Sequence, residues 1–340
     1  MQNEQLTSSG MPLVRLSLVN PFIFELARRE IECTTLLEEV GLPSQLPLPA
    51  DLFIAVGSMY QFTELAAEAA GDPYLGANIG SSVAPDTMAS FGTSADKPST
   101  VGQVLVGMVA SSEHHATSVK MSLHVDGGRT SYGFERVLDS KIKPAQIDGY
   151  YVGMLVALFR SAMLDAWNPK RVLVKIRNPQ AIPPDFGRLT LLQCDNNILS
   201  ISFPTEWLML PLNNPAYAQQ QRDSADFRDP PGEFVDAIRE ALLPHIDKPD
   251  LSVERAATIC GYEKRQLSGK LKRKNTTLAK EIASLREQRA VKQLVESTRK
   301  ISDIARSVGY SDPTIFSRAF KNWTGHSPQV YRKNHRSKIY

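Results

Sequence analysis

The densest cluster of metal-type and acid–base side chains in the sequence is Glu113-His114-His115. Adjacent residues on a helix diverge by about 100°, and no i, i+4 partner completes a two-histidine face. Structural or surface histidines are the simpler reading. Cys33, Cys194 and Cys260 are far apart and odd in number. They build no CxxC, zinc or disulfide pattern and read as reduced thiols. No nucleophile elbow, Gly-rich phosphate loop or paired-carboxylate motif occurs. The sequence therefore predicts no enzyme, no cofactor and no metal. The polar groups that do recur at useful spacing are of another kind. Thr314, Ser317, Arg318 and Lys321 share the outer face of one short amphipathic segment, and Arg265, Gln266, Ser268, Lys270 and Lys272 that of another. On a helix laid in a major groove, such groups meet base edges and phosphates, and a bidentate Arg–guanine contact is worth about 1–3 kcal/mol of discrimination. Surface capping or pairing is the alternative for Arg318. Lys272-Arg273-Lys274 and Arg332-Lys333-Asn334-His335-Arg336 are phosphate-binding candidates by charge alone, or solvated basic faces.

Such side chains need short helices to present them. Ile301, Ile304, Ala305 and Val308 fall on one helical face, and Gly309 stops that helix. After a few turn residues Ile315, Phe316, Ala319 and Phe320 repeat at helical spacing. Two short helices around a glycine turn form a helix-turn-helix. Upstream the layout recurs: Gly261-Tyr262 aligns with Gly309-Tyr310 and Ala257 with Ala305, forty-eight residues apart. Leu267 and Leu271 take the places of Phe316 and Phe320 with a one-residue shift. A long helix over 278–295, with Leu278, Ile282, Leu285, Val291 and Leu294 on its apolar face, joins the units. If it sets the reading helices about 34 Å apart, both enter successive major grooves on one side of the duplex. Trp323 and Tyr331 follow the apolar period and are predicted core. Gly269 stands where Arg318 stands in the second unit. It either lets the backbone approach DNA closely or weakens the first unit, since glycine inside a helix costs roughly 1 kcal/mol against alanine.

The charge divides the chain in the same place. Residues 1–236 hold 17 Lys+Arg against 26 Asp+Glu, hence −9, whereas residues 237–340 hold 22 against 10, hence +12. An acidic body joined to a basic tail suits a polyanion bound by one part only. Three regions are predicted: a body at 1–210, a linker rich in Asn, Gln, Asp and Pro at 211–231, and a DNA-binding domain at 232–340. The N-terminus lacks a signal-peptide pattern, and the most apolar run, 152–159, is short for a membrane span. A cytoplasmic protein with no membrane partner is the expectation.

In the body, helices are expected at 22–39, 51–70, 74–80 and 100–113, the last capped by Ser99-Thr100, with an extended lead at 46–51 and a loop through Pro85, Phe91 and Gly92. The period then changes: 119–125 alternates, Asp126-Gly127-Gly128-Arg129 turns, and 130–136 returns as a hairpin. A long helix at 146–166 and strands at 171–177 and 198–203 follow. The fold class is thus an α+β N-terminal domain, helices with a small sheet, before an all-α C-terminal domain with two helix-turn-helix units joined by a long helix. A jelly roll fits this helical content less well.

The C-terminal hundred residues resemble the DNA-binding domain of the AraC/XylS family of bacterial transcription regulators. The likeness rests on Ile301-Ser-Asp-Ile-Ala, Val308-Gly-Tyr-Ser-Asp, Phe316-Ser-Arg-Ala-Phe-Lys and Trp323-Thr-Gly-His-Ser-Pro-Gln-Val-Tyr-Arg332. More loosely, Leu36-Leu-Glu-Glu-Val-Gly-Leu, Ala69-Ala-Gly-Asp-Pro-Tyr-Leu-Gly76 and the hairpin-helix-strand order are similar to the family's arabinose-binding-type N-terminal domain, a label that does not name the ligand. The resemblance implies a sequence-specific regulator of promoter DNA, commonly an activator that contacts RNA polymerase. It implies an N-terminal domain that takes a small-molecule effector or forms a homodimer. The residues that bind the effector are not legible; the 146–166 helix over the hairpin is either a pocket wall or ordinary core. The alternative is a ligand-independent regulator whose body is only a dimerisation or protein-partner platform.

Overall fold

The computed structural model describes residues 10–44, 52–83, 98–137, 142–186, 188–195, 197–212 and 228–336. The predicted lead at 46–51, the loop through Pro85, Phe91 and Gly92, and residues 213–227 of the predicted linker lie outside the described residues. Two compact units emerge: residues 1–40 with 44–231, and residues 232–340 with 41–43. The first is α+β and the second all-α.

The sheet of the first unit grows from the expected hairpin. β3 (Val119–Asp126) and β4 (Arg129–Arg136) pair antiparallel in full register around Gly127, which sits at φ +54°. β4 continues against β7 (Ile198–Pro204), β7 against β5 (Leu173–Ile176), and β6 (Thr190–Gln193) runs parallel to β5 at the edge. On β4 the alternate residues Thr130, Tyr132 and Phe134 are buried, as a one-sided sheet requires. They face a core shared with α6 (Ala145–Met163) through Val152, Leu155 and Phe159. The run Ala145–Ala166 is long and apolar enough to cross a membrane, which the short run read from the sequence missed; 56% of that window is buried in this core. α6 crosses α4 (Leu75–Ser82) closely: a Cβ on Gly76 would stand 1.9 Å from the Gln146 carbonyl oxygen, and one on Gly80 2.1 Å from that of Tyr150.

Two helical expectations change. Residues 22–39 form not one helix but α1 (Asn20–Arg28) and α2 (Thr34–Glu39). Glu30 takes φ +59°, and the Ile31 and Glu30 amides close back on the Leu26 and Ala27 carbonyls, a helix end made without glycine. The second helix, expected from residue 51, begins at Val56 (α3, Val56–Ala69). Phe53–Ala55 is instead β2, paired antiparallel with β1 (Leu13–Arg15). The β6 edge strand lacks alternation and was not visible in sequence. α5 (Val101–His115) follows expectation, with Thr100 Oγ1 accepting from the Gln103 amide while Gln103 Oε1 accepts from the Ser99 amide, a reciprocal cap.

The second unit comprises α7 (Phe234–Leu242), α8 (Val253–Ile259), α9 (Lys264–Arg273), α10 (Leu278–Glu296), α11 (Ile301–Ser307), α12 (Pro313–Thr324) and α13 (Pro328–Arg336). α10 has 19 residues, about 28 Å at 1.5 Å per residue. Its apolar stripe carries a pair of short helices at each end. Ala290 and Leu294 pack with Ile304, Ala305, Val308, Phe316 and Phe320, and Trp323 and Tyr331 close over them. Near its start, buried Glu281 receives Arg239 Nε of α7 at 2.7 Å.

Candidate nucleic-acid interface

The two helix-turn-helix units are built by one repeated turn. In the first, the Tyr262 amide donates to Ala257 O (3.0 Å) and the Gly261 amide to Thr258 O (2.8 Å). In the second, Tyr310 donates to Ala305 O (2.9 Å) and Gly309 to Arg306 O (3.0 Å). Each is a pair of nested bonds that satisfies the last carbonyls of a helix and needs a left-handed residue next. Gly261 at φ +72° and Gly309 at φ +80° supply it. A reading helix follows at once. α12 is started by Asp312, whose carboxylate accepts from the Thr314 amide at 2.6 Å. The Thr314 amide, then its hydroxyl, hold the Asp312 carboxyl below its usual range, and the Arg318 charge adds to them.

On α12, Thr314, Arg318 and Lys321 are exposed, as the spacing predicts. Ser317 is half-buried and its hydroxyl donates to the Pro313 carbonyl at 2.8 Å, so it first serves its own helix. Ile315 departs from expectation: placed with the inward set from its spacing, it is 55% exposed, while Phe316 and Phe320 are wholly buried. Neighbouring residues point about 100° apart, and here Phe316 takes the core position while Ile315 stays outside. On α9, Arg265, Gln266, Ser268 and Lys272 are exposed. Lys270 is half-buried with its ammonium 5.6 Å from the Phe234 and Tyr262 ring centres, so it seals α7 to α9 before it faces outward. Gly269 is exposed and a Cβ there would meet nothing within 4 Å. Of the basic clusters, Lys272, Arg273 and Lys274 are exposed, whereas Arg332 donates to the Arg299 carbonyl at 2.7 Å and is half-buried.

Sequence reasoning missed the residue that joins the two heads. Arg286, on α10, donates through Nε to Ile246 O (3.2 Å) and through Nη2 to Lys248 O (3.1 Å), ahead of the first head. The same guanidinium lies 5.3 Å from the Tyr310 ring centre in the turn of the second. Gly309 abuts it: an added Cβ would stand 2.5 Å from Arg286 Nη2 and 2.7 Å from Ile246 O. No local signal marks Arg286, because these partners lie far away in sequence.

In the first unit, α6 and the hairpin do line a crevice. Tyr150 and Tyr151 of α6 and Val119 of β3 line two adjoining small cavities, one reaching Phe134 and Arg136 of β4, the other Met121 of β3, Met154 of α6 and His115. Arg136 is paired with Asp148, both almost fully buried. Burial pushes the Tyr150 phenol up to about 12 and pulls His115 down to about 4, so at neutral pH both are uncharged. His114 instead faces outward to Asp229 at 2.5 Å. The adjacent histidines therefore diverge, and among the described residues no group of three metal-type side chains converges.

A helix-turn-helix domain family model matches residues 256–334, which contain both turns. The model described as the arabinose-binding domain of AraC transcription regulators, N-terminal, matches residues 31–212, more than half of the chain. The chain belongs to the AraC family of transcription regulators. The chain is similar to other regulators over limited stretches. The ornithine utilization regulator of Pseudomonas aeruginosa is 31% identical over 140 residues, 39% of this chain and 41% of that protein. The raffinose operon transcriptional regulatory protein of Pediococcus pentosaceus is 42% identical over 60 residues, 18% of this chain and 22% of that protein. The matches thus span less than half of these curated relatives. Among solved structures, the C-terminal domain of AraT, a response regulator from Geobacillus stearothermophilus, is 29% identical over 29% of this chain and 84% of that chain, with a TM-score of 0.28. Both matching models are those of regulator domains, a helix-turn-helix and the N-terminal domain of AraC transcription regulators.

Proposed function

We propose that this AraC-family chain is a sequence-specific DNA-binding transcription regulator that reads promoter DNA with both heads. The observation that carries the reading is the repeated glycine turn, each copy followed by a helix with an exposed polar and basic face. In this reading Arg318 and Thr314 meet base edges from the second head, and Arg265 and Gln266 from the first. Lys272 and Lys321 hold phosphates. Ser268 and Ser317 lie beside them, the latter after releasing its backbone carbonyl, and Lys270 adds charge at the rim. The body at 1–210 is the effector-binding or dimerisation domain, 211–231 the linker, and 232–340 the DNA-binding domain.

The finer reading is an activator that works in the cytoplasm, contacts RNA polymerase beside its site and pairs as a homodimer. A small molecule held in the first unit changes how the heads are presented. The crevice between α6 and the hairpin supports that effector role, since its apolar walls carry the guanidinium of Arg136. Residues 231–340 alone are expected to shift a promoter fragment in a gel, and no specific binding at low salt sinks the reading. Repeatable thermal stabilisation by a metabolite that needs residues 1–220 supports the sensor; none across a broad library favours the dimerisation platform.

A further inference from the structure

The second reading helix presents an apolar side chain where a soluble protein has least reason to keep one. Ile315 is 55% exposed. It is the third residue of α12, which begins at Pro313, so it sits in the first turn, the part of a reading helix that reaches base edges. Exposed Thr314 precedes it and exposed Arg318 follows one turn later on the same side. The hydrogen-bonding groups of base edges offer nothing to a branched aliphatic chain. The one apolar group that a base edge carries in the major groove is the thymine 5-methyl.

We propose that Ile315 is a specificity-determining residue that reads one thymine through its 5-methyl group. This rests on the DNA-reading function proposed above. The first head supports the assignment by contrast. α9 starts at Lys264 and α12 at Pro313, and buried Leu267 and Leu271 match buried Phe316 and Phe320. In that alignment the place of Ile315 is held by exposed Gln266, whose amide suits adenine N6 and N7, and the place of Arg318 by Gly269, which offers no side chain. A polar reader in one head and an apolar one in the other cannot prefer the same bases. The composite site is therefore asymmetric, and one chain binds it in one direction.

The test starts with full-length protein and selection of bound duplexes from a random pool. Each thymine of the selected site is then replaced singly by deoxyuridine, which removes the 5-methyl and leaves base pairing intact. One thymine in one half of the site is expected to lose about fourfold in affinity when replaced, the worth of one buried methyl. Ile315→Ala should bind the thymine and uracil duplexes equally, and Ile315→Val should keep most of the difference. Because Ile315 is exposed, the circular dichroism of both variants should match the parent. Selection of no sequence at all defeats the DNA-reading function itself. A selected site in which no thymine separates the parent from Ile315→Ala overturns the proposal. Unchanged binding by Ile315→Ala overturns it as well, and would point to a protein partner on this face.

Discussion

Removing Arg286 tests whether one side chain holds the two heads together. Arg286→Ala deletes two charge-assisted hydrogen bonds to the Ile246 and Lys248 carbonyls and the contact with the Tyr310 ring. Hydrogen bonds to a charged partner contribute about 1.5–3 kcal/mol each when buried, and the half-buried position argues for the low end. A cation–π contact at a partly exposed site adds roughly 0.5–1 kcal/mol. The expected loss is about 3.5 kcal/mol, a large part of the roughly 5–15 kcal/mol that holds a small domain folded. In urea, with a slope of about 1–1.5 kcal/mol/M, the midpoint of the 232–340 fragment should fall by about 2–3.5 M. Gly309→Ala probes the joint from the other side, since its Cβ would strike Arg286 Nη2 and Ile246 O and its φ of +80° suits glycine. On the Arg286→Ala background one of those collisions is gone, so Gly309→Ala should cost about 1 kcal/mol less there than in the parent. A loss below about 1 kcal/mol for Arg286→Ala, or strict additivity in this cycle, refutes the joint.

The other predictions address the crossing of α4 and α6, a buried histidine and the reading face. Gly76→Ala puts a methyl 1.9 Å from the Gln146 carbonyl oxygen. Forcing the helices apart should cost about 3 kcal/mol or more and lower the N-terminal melting temperature by roughly 10 °C, with a drop under about 2 °C arguing against the tight crossing. Burial, with the Arg255 charge adding, pulls His245 from 6.5 down to about 4. The unfolded chain then takes up a proton that the fold refuses, so stability is full above the unfolded value and falls as pH drops through this window. This group should cost the full-length protein about 2 kcal/mol between pH 7 and pH 5, and His245→Gln should flatten that slope in urea titrations. An equal slope in the variant assigns the acid loss elsewhere. Arg318→Ala should relax base preference at one position, whereas Lys321→Ala should weaken all sequences and reduce the salt slope by about 1. Equal behaviour of the two in binding assays across salt would remove their assigned roles.

The features legible in the sequence are those whose cause is local. The repeat of Gly261-Tyr262 in Gly309-Tyr310 could be read because a left-handed helix end admits little but glycine. The hairpin at Asp126–Arg129 and the apolar period of α10 are equally short-range, since period 2 and period 3.6 are properties of a few consecutive residues. The charge division needed only counting. By contrast, nothing around Glu30 announces a left-handed residue, and a glutamate stays there only because the surrounding packing selects the break between α1 and α2. β6 is an edge strand specified by β5, not by its own alternation.

On the reading face the same division holds. The exposure of Thr314, Arg318, Lys321, Arg265, Gln266, Ser268 and Lys272 follows from helical spacing alone. Helical spacing alone puts Lys270 and Ser317 on the outer face, because their ring and carbonyl partners cannot be seen in a list of side-chain types. Periodicity gave Ile315 and Phe316 equal claim to the core. Only the packed structure chose, by filling the groove beneath α12 with Phe316 and Phe320 and leaving Ile315 outside. Arg286 is the clearest case of tertiary decision. Its carbonyl acceptors lie 40 and 38 residues upstream, and its ring partner belongs to the other head. The sequence alone determined that there are two heads of unequal chemistry. Tertiary packing decided how they are joined and which apolar side chain faces outward, because both depend on contacts between segments that no local pattern records.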